Sequence, residues 1–132
     1  MKSLTKAAKA LGDPARVKIL KMLEVKPLCV CVVHSVLGLA QSTVSKHLKV
    51  LEEAGLVVWT RKGAWVHYSL AQKDDTHAGR LLTLLSQCLE NDPEIMLARD
   101  TVSKTSDGPF LKSLAGQGDP LAASGSDEKN RW

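Results

Sequence analysis

Ser42-Thr-Val-Ser-Lys-His-Leu-Lys-Val-Leu-Glu-Glu-Ala-Gly55 sets the architecture of this chain. Val44, Leu48 and Leu51 recur at helical spacing and form a stripe suited to burial. Ser42, Ser45, Lys46 and Lys49 form the opposite stripe at i, i+3, i+4 and i+7, so one side packs and the other faces outward. Gly55 marks the stop of this helix, predicted over residues 42 to 54. Just upstream, residues 30 to 37 read as a short apolar helix stopped by Gly38. Two helices joined by a turn of about four residues make a helix-turn-helix. After Gly55 the apolar period changes to two, over residues 56 to 60 and 65 to 70. Arg61-Lys62-Gly63-Ala64 connects these strands, so the helix pair is followed by a hairpin with a basic tip, a wing.

Upstream, Leu4, Ala7, Ala8 and Leu11 predict a helix over residues 3 to 11, with Gly12 as its stop. Asp13-Pro14 supplies a capping carboxylate and a proline at the first helical position. Val17, Leu20 and Leu23 continue that second helix to about Glu24, and Pro27 breaks it. Downstream, residues 75 to 91 predict a last helix, with Leu81, Leu85 and Cys88 flanked by Ala78, Leu82 and Leu89. That apolar face is broader than a small domain needs internally, which predicts pairing with a second copy. From Pro93 the pattern fades, and residues 101 to 132 lack periodicity, so they are expected to be disordered. The fold expected is α+β, mainly α: a winged helix-turn-helix of about five helices and a β-hairpin, forming a homodimer. The DNA-binding and dimerisation domain is expected over residues 1–92, with a C-terminal extension over 93–132.

The composition fits this reading. The chain has 132 residues, 44% apolar and 24% charged, the balance of a soluble globular domain. No apolar run approaches the roughly 20 residues a membrane span requires, and the first residues lack a signal peptide's apolar centre, so a cytoplasmic location is expected. The net charge is +4 but uneven, with 11 Lys/Arg against 4 Asp/Glu in residues 1–70 and 7 against 10 thereafter. A basic front half favours a polyanionic partner. Gln41, Ser42, Thr43, Ser45, Lys46, His47 and Lys49 supply the short donors and longer basic groups of a recognition helix, and Arg61 and Lys62 can reach a flanking groove or backbone. Helix-turn-helix and basic wing in that order favour double-stranded operator DNA over a merely solvated charged face.

Four segments, from Lys9 to Leu20, Leu28-Cys-Val-Cys31, from Gln41 to Leu56, and Tyr68-Ser-Leu70, resemble the ArsR/SmtB family of metal-responsive repressors. The resemblance covers about residues 4 to 92. It implies a homodimer, with the first and last helices at the interface, that binds an operator and leaves it when an inducer binds. Ala40 departs from the pattern, because relatives often carry a capping serine there.

Cys29 and Cys31 stand at the start of the first helix of the motif. Two soft thiolates suit arsenite or antimonite, or alternatively cadmium or zinc, better than hard cations. They are expected to be reduced, since their closeness in sequence argues against an ordinary structural bridge. On an ideal helix residues i and i+2 lie about 200° apart, so one ion can hold both sulfurs only where the turn is distorted or not yet helical. Arsenic-sensing relatives place a third cysteine where this chain has His34, which leaves His34 as a possible third ligand. Asp75, His77 and Cys88 resemble part of the zinc-sensing ligand pattern; a helix cap plus a core cysteine is the plainer reading. A redox enzyme fares poorly, since neither a βαβ pattern nor an acid/base constellation surrounds the cysteines. A repressor sensing oxidants or reactive sulfur, joining Cys31 to Cys88, is the closer alternative. A protein-protein adaptor on the same scaffold is a third.

Overall fold

The structure is a computed structural model, and it describes residues 1–72 and 75–105. The elements run α1 (Lys2–Ala10), α2 (Pro14–Leu23), α3 (Val30–Leu37), α4 (Gln41–Glu53), β1 (Val57–Lys62), β2 (Trp65–Leu70), α5 (His77–Ser86) and α6 (Pro93–Lys104). This is the winged helix-turn-helix that the sequence predicts, with one helix more than expected.

α2 is the central helix. Asp13 caps it by accepting from the Ala15 amide at 2.8 Å, and Pro14 opens it without leaving an unpaired N–H. Ile19, Leu20, Met22 and Leu23 are all buried, and the core around them includes Val33, Val44, Leu48, Leu51, Leu56 and Tyr68. The Val44, Leu48 and Leu51 stripe therefore packs as its spacing predicts. α4 ends in a Schellman motif: the Gly55 amide donates to Glu52 O at 2.9 Å and the Leu56 amide to Leu51 O at 3.0 Å. That geometry requires the left-handed conformation Gly55 adopts, at φ 77°.

The wing is an antiparallel hairpin in which Val57 faces Leu70 and Lys62 faces Trp65. Its loop is only Gly63-Ala64, with positive φ at Gly63 alone, the pattern of a type II′ turn. Arg61 and Lys62 thus end β1 and do not belong to the loop. Leu28 adds a bridge to the other edge of β2: its amide donates to Tyr68 O at 3.0 Å, and the Tyr68 amide donates back at 2.8 Å. The residue immediately before Cys29 is thereby tied to the wing.

Three expectations are corrected. Gly12 is not a left-handed stop; α1 closes on Leu11 in the right-handed region. α5 ends at Ser86 instead of continuing to residue 91, and Leu89 takes a φ of 64° where the chain turns. Residues 93 to 104 are helical, capped by Asp92, which accepts from the Glu94 and Ile95 amides at 3.0 and 3.2 Å. Asp92-Pro93 is the same start signal as Asp13-Pro14. Ile95, Ala98 and Val102 are buried at i, i+3 and i+7, and Ala98 and Val102 join the main core. The core therefore extends past the boundary expected at residue 92, and residues 101 to 104 are ordered helix. The remainder of the expected disordered tail, 106–132, lies outside the described residues.

A buried charge cluster joins α2 to the α5–α6 junction. Lys21 is fully buried, donates to Leu85 O at 3.1 Å, and pairs with Glu24 at 2.9 Å and Glu90 at 3.7 Å. Arg99 of α6 holds the same Glu24 at 2.7 Å. Among the described residues no helix is long and apolar enough to cross a membrane. Leu4 on α1 and Leu84 on α5 are exposed while the two helices pack together, which leaves apolar surface on the expected pairing face.

Candidate nucleic-acid interface and thiol site

α4 presents Gln41, Ser42, Thr43, Lys46 and Lys49 to solvent, with His47 half-buried. Ser45 departs from the expected outer stripe: it is 4% exposed and lies on the packed side beside Val44. A serine side chain is small enough to be buried at that position. Ala40 offers no side-chain cap, and neither Gln41 nor Ser42 replaces it. The first amides of α4 therefore keep donor capacity at the positive end of the helix dipole, where a phosphate is favoured. Arg61 and Lys62 are exposed at the end of β1, and Arg61 Nε donates to Gly63 O at 3.0 Å. Trp59 fixes the wing to α4 by donating to Glu52 at 2.8 Å. Helix and wing, joined by this bond, both present basic groups to solvent.

Arg16, which the sequence reading did not single out, organises this face from behind. Its Nε donates to Ala10 O at 2.7 Å and a terminal nitrogen to Lys9 O at 3.3 Å, gripping the end of α1. Its other terminal nitrogen reaches His47 Nδ1 at 3.4 Å. Arg16 has no acceptor atoms, so this contact is a hydrogen bond only while His47 Nδ1 carries no proton. Asp13 lies 3.9 Å from Arg16. Burial raises the Asp13 pKa, but the Ala15 amide, His47, the Arg16 amide and the Arg16 charge outweigh it and hold the carboxyl below its ordinary value. The signal available in sequence was Arg16 three residues after a capping aspartate.

The two α3 cysteines are brought together. Cys29 is the N-cap, with extended backbone at φ −84° and ψ 162°, while Cys31 sits in the first helical turn. Their Cα atoms are 5.4 Å apart and their sulfurs are bonded to each other, which corrects the expectation of two separate reduced thiols. The extended backbone at Cys29 supplies the reason, because it removes the 200° divergence that a continuous helix would impose. Cys29 is buried and Cys31 half-buried. The Cys29 carbonyl accepts from Val32 and Val33 at 3.1 and 3.2 Å, so this residue also starts the helix.

His34 is not gathered into a ligand set with them. Its Nδ1 donates to Leu39 O at 3.2 Å across the turn of the motif. Among the described residues no group of three His, Cys, Asp or Glu side chains could hold a metal ion. Asp75 and His77 line a cleft of about 770 Å³ with Ser3, Lys6, Glu52 and Trp59, and His77 Nδ1 is 2.9 Å from Ser3 Oγ. Cys88 stands apart from that cleft; it is exposed and directs its thiol to Leu84 O at 3.3 Å. It is neither a core cysteine nor the partner of Cys31. The cap of α5 is Thr76, which accepts from Gly79 at 2.9 Å, and not Asp75.

Residues 13–58 match the family model described as bacterial regulatory protein, arsR family. The chain is 36% identical over 124 residues to the HTH-type transcriptional regulator CmtR of Mycobacterium tuberculosis, covering 94% of this chain and 92% of that one. It is 35% identical over 81 residues to the arsenical resistance operon repressor of Escherichia coli, covering 61% of this chain and 69% of that one. Among solved structures, reduced HlyU from Vibrio cholerae is similar at 31% identity with a TM-score of 0.56, over 67% of this chain and 92% of that chain.

Proposed function

The chain belongs to the arsR family of bacterial regulatory proteins, and we propose that it is a repressor released from its operator when arsenite or antimonite binds Cys29 and Cys31. As a member of that family it is a DNA-binding transcriptional regulator and not an enzyme. The observation that carries the inducer reading is the convergence of the two cysteines on one side of the start of α3. In the reduced pair, two thiolates so placed are soft ligands for one thiophilic centre. A third position on arsenic is filled by an external thiol or water, because His34 is engaged elsewhere.

The path to DNA is short. Cys29 follows Leu28, which is paired to Tyr68 on the wing, and the Cys29 carbonyl starts α3. Placing one arsenic between the two sulfurs holds them farther apart than their direct bond does and re-aims the Cys29 backbone, which moves the first turn of α3 against the wing strand. α4 packs on α3, so the recognition residues shift relative to their copies in a homodimer. Operator affinity then falls by the coupling free energy between the sites, typically 1–3 kcal/mol. The DNA side of the reading assigns Gln41, Ser42, Thr43, Lys46, His47 and Lys49 to the groove and its edges, and Arg61 and Lys62 to flanking phosphates.

Operator release titrated with arsenite, antimonite, cadmium and zinc tests this directly. Cys29→Ser and Cys31→Ser should bind operator normally and fail to release with arsenite, while Cys88→Ser and His34→Ala stay inducible. Release that needs Cys88 and spares Cys29 would overturn the assignment.

A further inference from the structure

We propose that Cys29 and Cys31 form a reversible dithiol–disulfide pair, and that a peroxide converts the protein into a form that holds DNA but no longer answers arsenite. The inference rests on the arsenite reading above and adds a second state of the same site. The two sulfurs are bonded to each other in a structure whose reading unit is complete. α3 begins at Val30, the Leu28–Tyr68 bridge is made in both directions, and Gln41, Ser42, Thr43, Lys46 and Lys49 are exposed on an unbroken α4. The bonded state is thus compatible with the winged helix-turn-helix, whereas it leaves no thiolate at Cys29 or Cys31 to ligate arsenic.

The chemistry is balanced by the oxidant. One thiolate attacks a peroxide oxygen, giving a sulfenic acid and releasing water or an alcohol. The second thiolate attacks that sulfur and expels hydroxide, which takes a proton to become water. Two thiols lose two protons and two electrons in all, and the peroxide O–O bond is reduced. Cys31 is the half-buried member and Cys29 the buried one, so Cys31 meets the oxidant first and Cys29 resolves it. In the bonded pair the Cα atoms stand 5.4 Å apart, inside the ordinary range for a disulfide, so the link asks for no unusual backbone separation.

The test uses the full chain and its Cys88→Ser variant, in which Cys29 and Cys31 are the only thiols. Each is reduced or treated with hydrogen peroxide, then examined by intact mass, peptide mapping and operator binding with and without arsenite. The oxidised protein should be two hydrogens lighter with Cys29 linked to Cys31. It should bind operator within about threefold of the reduced protein, ignore arsenite, and regain release after dithiothreitol. Failure to form the intramolecular link, loss of operator binding on oxidation, or arsenite release of the oxidised form would each overturn the proposal. Should reduced protein ignore arsenite while oxidation still links the pair and preserves DNA binding, the inducer reading falls and the disulfide assignment stands.

Discussion

Arg16 of α2 reaches His47 of α4 at 3.4 Å while gripping Ala10 O at 2.7 Å, so one guanidinium locks the α1–α2 corner to the candidate recognition helix. Arg16→Lys keeps the charge but replaces a fork of separate nitrogens with a single ammonium, which cannot occupy the Nε and terminal positions together. We expect it to cost about 1–3 kcal/mol of folding stability through the lost hydrogen bonds. Operator affinity should also fall, because His47 of α4 loses the guanidinium against which its ring is held. Urea unfolding and fluorescence anisotropy on the same preparation check both. A variant as stable and as tightly bound as the parent would show that the grip on α1 and His47 carries no weight.

The basic groups of α4 and the wing should act through phosphates. Lys46→Ala, Lys49→Ala and Lys62→Ala should each weaken operator binding and reduce the slope of log affinity against log salt by about 0.9 for every phosphate no longer neutralised. None should unfold the domain, since all three side chains are exposed. A salt slope unchanged in all three would mean that another face meets the DNA.

Truncation at two points distinguishes the last helix from the residues beyond it. Removing residues 106–132 leaves the described core intact, and folding, dimerisation and release should persist. Removing residues 101–132 also deletes Val102, which is fully buried, and the last turn of α6. Burying a valine is worth roughly 1.5–3 kcal/mol, so the shorter chain should unfold at clearly lower denaturant. Equal stability of the two would place Val102 outside the working core.

The sequence reading located the helix-turn-helix and the wing more fully than the rest, for a physical reason. Apolar period and glycine stops report helices and hairpins directly, so α3, α4 and the wing were legible. α6 was missed although Asp92-Pro93 repeats the Asp13-Pro14 signal, because Ile95, Ala98 and Val102 form a stripe narrowed by an alanine and interrupted by exposed Met96 and Leu97. Ser45 was misplaced because a small polar residue at a stripe's edge packs as readily as it faces water. The Cys29–Cys31 bond depended on one backbone conformation at the N-cap, which side-chain spacing does not encode. Arg16–His47 and Lys21–Glu24–Arg99 join distant segments, and pairing of that kind has no local period to read.

Low pH should act through Asp13. Its carboxyl is held below the ordinary 3.8, so its charged form is favoured in the folded state. That stability is fully present above about pH 3.8 and is lost as pH falls through the depressed folded value. Asp13→Asn retains a capping oxygen but removes the charge, so its stability should fall less steeply as pH drops below about 3.8. Parallel acid-unfolding curves for the two proteins would exclude Asp13 as a source of acid sensitivity.

The buried cluster around Lys21 gives an ordering of two variants that depends on which charge is left alone. Lys21→Met removes a fully buried ammonium and replaces it with an apolar chain of similar length, and Glu24 keeps Arg99 at 2.7 Å. Glu24→Gln does the opposite: it leaves Lys21 buried with the Leu85 carbonyl and the more distant, exposed carboxylate of Glu90 at 3.7 Å. Breaking a buried pair by removing one partner typically costs 3–5 kcal/mol, whereas replacing a buried charge with a well-packed apolar group is often close to neutral. Glu24→Gln should therefore be the more destabilising substitution by at least about 1 kcal/mol, measured as the difference in urea midpoint at neutral pH. The same variant should loosen α6, which Arg99 anchors through Glu24, and raise amide exchange over residues 93–104 ahead of the rest of the core. If Lys21→Met proves the worse of the two, the ammonium itself, through its bond to Leu85 O at the end of α5, is what holds the junction together.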